Sequence, residues 1–121
     1  MKAYKVVYCD SDGKLWSYSD CGQVEYAIGI WTTPRKYHGP LSAFKSCRLA
    51  MKFLNKQGYT LGYDYEEDIR IYECEVEISK EKELWFYTPY GKLIKNDVLP
   101  DGTILCNMIK LTKFVAHYRA E

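Results

Sequence analysis

The sequence predicts an α+β domain: a mostly antiparallel sheet of about five or six strands with one main α-helix packed on one face. Three observations carry that expectation. Short runs rich in β-branched and aromatic residues are separated by glycine- and proline-containing turns. A single stretch repeats its apolar residues at helical spacing. No linker, repeat or low-complexity segment divides the 121 residues, so residues 1–121 are expected to form a single domain around one core.

The elements follow in chain order. "AYKVVYC" is β-rich and runs into "DSDG", a turn in which Gly13 is free to take a positive φ, before "KLWSYS"; this is a hairpin signal. Tyr4, Val6 and Tyr8 share one face of its first strand, and Lys5, Val7 and Cys9 the other. "SDCGQ" interrupts the chain, and "VEYAIGIW" alternates as a third strand. "LSAF" suits a short strand feeding straight into a helix with Ser46 as N-cap, "CRLAMKFLNKQG" as body and Gly58 as C-terminal stop. Leu49, Ala50, Phe53 and Leu54 form its apolar stripe.

"YTLGYDYEED" reads as a polar loop, and "IRIYECEVEIS" as a strand with Tyr72, Cys74, Val76 and Ile78 on one face. Glu73, Glu75 and Glu77 lie on the other, solvated or paired across the sheet. "KEKELWFYTPYGKL", with Pro89 and Gly91, is expected to be a long loop, "LPDGT" a compact turn, and "ILCNMIKLTKFV" the last strand.

Composition bounds the function. Seventeen basic and sixteen acidic side chains leave a net charge of +1, which gives no general field for a DNA or RNA polymer or an anionic membrane. Aromatic residues reach 16%, an excess over the needs of a small core that favours recognition surfaces. The five cysteines, at 9, 21, 47, 74 and 106, form no CxxC pair; with no signal peptide and no apolar run of membrane-spanning length, a cytoplasmic protein with reduced thiols is expected.

Chemical motifs are sparse. The two histidines, His38 and His117, sit in "HGP" and "HYR", and neither makes a metal or phosphoesterase pattern, so no metal and no cofactor are expected. No glycine-rich loop has phosphate-cradling spacing. Glu66, Glu67 and Asp68 read as a solvated loop. Asn107 shares a face with Leu105, Ile109 and Leu111, so its amide either bonds neighbouring backbone or contacts a ligand, with Lys110 close by on the opposite face. "GIWTTPRKYHGP" and "ELWFYTPYGK" each combine aromatic rings with cations, the chemistry of stacking a base and neutralising a phosphate, or equally of a subunit interface. Trp31 and Arg35 are candidate rim residues of a pocket, while His38 reads as an ordinary loop histidine.

The order "YKVVYCDSDGKLWS", "VEYAIGIWTTP", "GPLSAF", "LAMKFL", "IYECEVE" and "LPDGTILCNMIKLTKFV" resembles a family of small phage proteins that includes the Thoeris anti-defence sponges. These sequester cyclic ADP-ribose isomers made by bacterial TIR-domain enzymes, and some bind cyclic oligonucleotides. The resemblance implies a noncatalytic homo-oligomer that holds a small cyclic nucleotide in a recess between protomers. By type and place it implies Trp85 or Phe86 as stacking ring, Asn107 as polar contact and Arg35 or Arg48 as phosphate partner; Trp16, Trp31 and Lys110 complete the set of candidate ligand-binding residues. Lys110 and Lys113 stand where an arginine would be expected, which replaces a fork by point charges. The alternatives are a nucleotide-cleaving or nucleotide-transferring enzyme with His38 or a glutamate as base, and a phage inhibitor that binds a protein.

Overall fold

A computed structural model describes residues 1–18, 23–61, 68–96 and 98–118. Three long strands carry the fold: β1 (Lys2–Cys9), β7 (Asp68–Ile78) and β10 (Thr103–Tyr118). Between β1 and β7 lie β2 (Leu15–Ser17), β3 (Glu25–Tyr26), β4 (Trp31–Thr32), β5 (His38–Gly39), β6 (Leu41–Phe44) and the helix α1 (Cys47–Leu61). Between β7 and β10 lie β8 (Leu84–Tyr87) and β9 (Leu93–Asn96). The mostly antiparallel sheet and, among the described residues, the single helix match the sequence expectation. The strand number does not: the described residues form ten strands in a seven-stranded and a three-stranded sheet, against an expected five or six.

The larger sheet closes on itself. β7 pairs with β1 along one edge and with β10 along the other, while the short β6 pairs with β1 at Tyr4↔Phe44 and with β10 from Thr103 to Cys106. β1 and β10 are therefore joined on both sides, and the strands form a small ring, extended by β2 and β3 on β1 and by β4 on β10. Alternation divides inside from outside. Ala3, Val7, Leu41, Ala43, Tyr72, Cys74, Val76, Ile109 and Leu111 fill the interior, whereas Val6, Phe44, Ile69 and Ile71 face outward. Burial pushes the interior Cys74 thiol up to about 12, so it packs as a small apolar group.

Lys5 belongs to the inward-facing set and is 0% exposed. Its ammonium donates to the Ser42 carbonyl at 2.6 Å and sits 5.5 Å from the centroid of the Tyr26 ring. A charge placed inside a ring this small has to be hydrogen-bonded where it stands, because transfer from water without partners is costly. The bond it makes spans β1 and β6, the pair of strands that share the fewest ladder contacts in the closure.

Three register shifts in β10 bend it around the ring, between Cys106 and Met108, Leu111 and Lys113, and Phe114 and Ala116. The first overturns the expected face of Asn107: this residue is the extra one in the bulge, it is exposed, and its Nδ2 donates to the Ile78 carbonyl at 3.4 Å. Alternation resumes one residue later, which is why Cys106 and Ile109, three apart, both point inward. Thr112 at the second shift likewise donates its hydroxyl to the Glu73 carbonyl at 3.0 Å.

The helix lies on the outer face. Ser46 caps it, its Oγ accepting from the Leu49 amide at 3.2 Å, and Ala50 and Leu54 are buried against Val6, Phe44 and Ile71. Gly58 does not stop it; the helix continues to Leu61. The next expected loop, 59–68, is corrected at both ends, since residues 59–61 belong to the helix and Asp68 opens β7; residues 62–67 with Glu66 and Glu67, and residues 19–22 with Cys21, lie outside the described residues. Two further expectations are corrected. The anticipated third strand is two short strands, β3 and β4, separated by a turn in which Gly29 has φ 81°. The anticipated 80–93 loop contains the β8–β9 hairpin, whose Thr88–Lys92 tip has Gly91 at φ 79° and a Gly91 amide donating to the Thr88 carbonyl at 2.9 Å.

Replacing Lys5 by methionine keeps most of its volume but removes the bond to Ser42. Lys5→Met should cost about 1–3 kcal/mol, and Lys5→Ala, which adds a cavity, about 3–5 kcal/mol. Urea unfolding measures both; a methionine variant as stable as the parent would show the ammonium bond to be dispensable.

Candidate functional site

The three-stranded sheet β5–β8–β9 is separate from the larger sheet and carries a recess of about 830 Å³. One wall is the turn from Arg35 to His38 and the other is the β8–β9 hairpin from Phe86 to Gly91. The turn is closed by the His38 amide donating to the Arg35 carbonyl at 3.0 Å. Its third residue, Tyr37, has φ 65°, a left-handed conformation that costs a non-glycine residue about 1–2 kcal/mol. Tertiary contacts hold it there: the Tyr87 amide donates to the Tyr37 carbonyl at 3.0 Å, tying the two walls together. The Tyr37 side chain is 61% exposed, with the Lys36 ammonium 5.1 Å from its ring centroid.

His38 and Phe86 are cross-strand partners, and their rings lie nearly parallel at a centroid separation of 5.9 Å. His38 Nδ1 is 2.9 Å from the Lys36 carbonyl. A carbonyl oxygen only accepts, so Nδ1 carries the proton and, in the neutral ring, Nε2 carries the lone pair. Arg35 is exposed, its Nη1 donating to the Gln23 carbonyl at 3.4 Å. The recess thus combines two cations, Arg35 and Lys36, with the rings of Tyr37, His38, Phe86 and Tyr87.

Of the candidates read from the sequence, Arg35 and Phe86 line this recess. Trp85, the alternative stacking ring, does not. It lines a separate surface hollow with Glu81, Glu83 and Lys95, its indole N–H donates to Glu81 at 2.8 Å, and its ring lies over Gly39. Trp31 and Lys110 are brought together elsewhere, as partners in the β4–β10 ladder with the Lys110 ammonium 5.1 Å from the indole centroid. Trp16 is fixed in the first hairpin, donating its indole N–H to Asp10 at 2.8 Å. That bond, with those from the Lys14 and Asp12 amides, holds the Asp10 carboxyl below its usual range. Arg48 is exposed on the helix and Asn107 on the β10 bulge, and neither lines the recess.

Lys36, Tyr37 and Tyr87 are wall residues that residue-by-residue reading left out of the candidate set, and His38, read as an ordinary loop histidine or as the base of an alternative enzyme, is a wall residue too. The signal was the polar "TPRKYH" core between structural ends, where no apolar periodicity accounts for a tyrosine and two cations.

A second polar cluster closes the end of the β7–β10 ladder. Arg70 donates to Asp68 through Nε at 3.2 Å and Nη2 at 2.8 Å, and His117 Nδ1 lies 3.0 Å from the same carboxylate. Arg70, first, and His117 hold the Asp68 carboxyl below its usual range. The cluster pins strand ends together. Among the described residues no group of three or more His, Cys, Asp or Glu side chains could hold a metal ion, and no helix is long and apolar enough to cross a membrane.

Comparison of the chain with protein families, with curated proteins and with solved structures gives no match. Function is therefore argued from the recess and from the sequence resemblance.

Two expected outcomes test the placements. A Cβ on Gly39 would lie 2.8 Å from the Trp85 ring, so Gly39→Ala should unseat the indole and cost about 1–3 kcal/mol, read by urea midpoint and near-ultraviolet circular dichroism; a parent-like spectrum and midpoint would contradict that packing. Because the folded-state pKa of Asp68 is lowered, its stabilisation is present above the ordinary carboxylate range and is lost as pH falls through the folded value. Asp68→Asn should lower the melting temperature at pH 7, with the gap to the parent closing below about pH 4.

Proposed function

We propose that the chain is a noncatalytic nucleotide binder that sequesters cyclic nucleotide immune signals, cyclic ADP-ribose isomers first among them. In this reading it is a phage anti-defence protein acting in the cytoplasm of an infected cell as a homo-oligomer. The observation that carries the reading is the recess beside β5 and β8, where Arg35 and Lys36 stand next to Phe86 and Tyr87. A volume of about 830 Å³ lies within the range of small-molecule sites, about 300–1,000 Å³. Two local cations suit a ligand with two phosphates, and exposed π-faces suit its base. A near-neutral chain is compatible with this, since two cations at one site neutralise such a ligand without a basic surface.

Sequestration needs only mass action. A protein present at the abundance of the receptor, and binding the signal more tightly, holds its free concentration below threshold. To test this, the protein is mixed with each cyclic ADP-ribose isomer, the filtrate is assayed, and the retained fraction is heated. Depletion followed by release of ligand with unchanged mass is the expected result; a changed mass would indicate an enzyme, and no depletion of any isomer would overturn the reading. Arg35→Ala, which deletes a charge-assisted contact, should weaken retention by about tenfold or more without altering the melting temperature.

A further inference from the structure

We propose that His38 makes the recess selective for ligands that present a ribose hydroxyl. This rests on reading the recess as a nucleotide site and names the part of the ligand that the histidine meets.

The bond from Nδ1–H to the Lys36 carbonyl does two things. It fixes the ring against rotation, and it leaves Nε2 of the neutral ring as an acceptor with no protein partner among the described residues. His38 lines the recess while Phe86 lies against one face of its ring. An acceptor held in place and left unfilled favours a ligand that brings a donor, because a ligand without one removes water from Nε2 and returns nothing.

The position of the ring says which donor. His38 is two residues from Lys36 and three from Arg35, on the wall that carries the positive charge. Phosphate oxygens, which only accept, belong opposite those cations. The donor that reaches Nε2 therefore lies close to the phosphates, which in a nucleotide is a sugar hydroxyl. Amino groups of the base would lie farther along, toward the aromatic and proline side chains of the hairpin, Tyr87 and Pro89.

The probes are adenosine 5′-diphosphate and its 2′-deoxy and 3′-deoxy counterparts, titrated calorimetrically into the full chain near pH 7.5. The parent should bind the ribose form about three- to tenfold more tightly than at least one deoxy form, the worth of one neutral hydrogen bond. His38→Asn keeps an N–H donor near the Nδ1 position and deletes the Nε2 acceptor. It should abolish the ratio between ribose-form and deoxy-form affinities, whatever it does to both through the lost ring, at the parent melting temperature. Arg35→Ala should instead weaken all three equally.

An independent readout needs no variant. In ¹⁵N spectra of the free protein, His38 Nδ1 should show the protonated type of shift and Nε2 the lone-pair type, and only Nε2 should move when the ribose form binds. Equal affinity for all three probes in the parent, a preference that survives in His38→Asn, or a proton found on Nε2 would overturn the proposal. If the parent still depletes cyclic ADP-ribose isomers in such a case, the histidine's role fails alone; if it binds neither those isomers nor any probe, the nucleotide reading of the recess fails with it.

Discussion

A single ammonium group sits at the centre of this fold. β1 and β10 are joined generously through β7, but their second junction runs through β6, four residues long, and its contact with β1 is one residue pair. Lys5 strengthens that junction from inside by reaching the Ser42 carbonyl. Apolar packing forbids a one-residue slip, which would turn the apolar set outward, but tolerates a two-residue one, whereas an ammonium bonded to one carbonyl tolerates neither. The bond therefore specifies which residue of β6 lies against β1, in addition to whatever stability it adds. The same logic explains why a lysine is tolerated where burial is complete: its stem contributes apolar volume to the interior, and its charge is met by a polar atom in place.

Closure depends equally on the irregularities of β10. A flat strand of sixteen residues could not follow a ring this narrow, and the three shifts supply the bend. At two of the shifts a side chain of the bulge donates to a carbonyl of β7, Asn107 to Ile78 and Thr112 to Glu73. Asn107 thus does a structural job at the surface. Its polarity is explained by the bulge, and no ligand needs to be invoked for it.

The regular parts of the fold were legible in the sequence because a period of two survives wherever strands are regular. In β1 and β7 the expected faces are the observed ones, down to Lys5 grouped with Val7, and only Ile78 at the strand end is exposed. The helix stripe and the Ser46 cap were equally readable, since both follow from local geometry. What failed were phase changes. An extra residue at Asn107 shifts the positions after it by one face until the next shift at Thr112, and nothing in "LCNMIK" distinguishes a bulge from a continuous strand. The β8–β9 hairpin was hidden for a related reason: "LWFY" is apolar throughout, because both faces of its small sheet carry rings, and a run without alternation announces no strand. Of the candidate site, Arg35 and Phe86 were found by residue type. Trp85 was not separable from Phe86, because neighbours on a strand point to opposite faces and sequence alone does not say which face holds the recess.

The recess is built from turns, yet its wall residues are constrained. Tyr37 at φ 65° and Gly91 at φ 79° occupy left-handed positions at the two tips, and the amide of Tyr87 joins the walls through the Tyr37 carbonyl. Below them, Gly39 lets the Trp85 ring approach a backbone that any larger residue would block. Ordering has therefore been completed by folding: the turn, the hairpin and the imidazole are each held by a named bond before a ligand arrives. A site in that condition loses little entropy on binding. The strain at Tyr37 fits the same account, since a conformation that costs the chain free energy persists only where neighbouring contacts hold it, and here those contacts are the ones that define the walls.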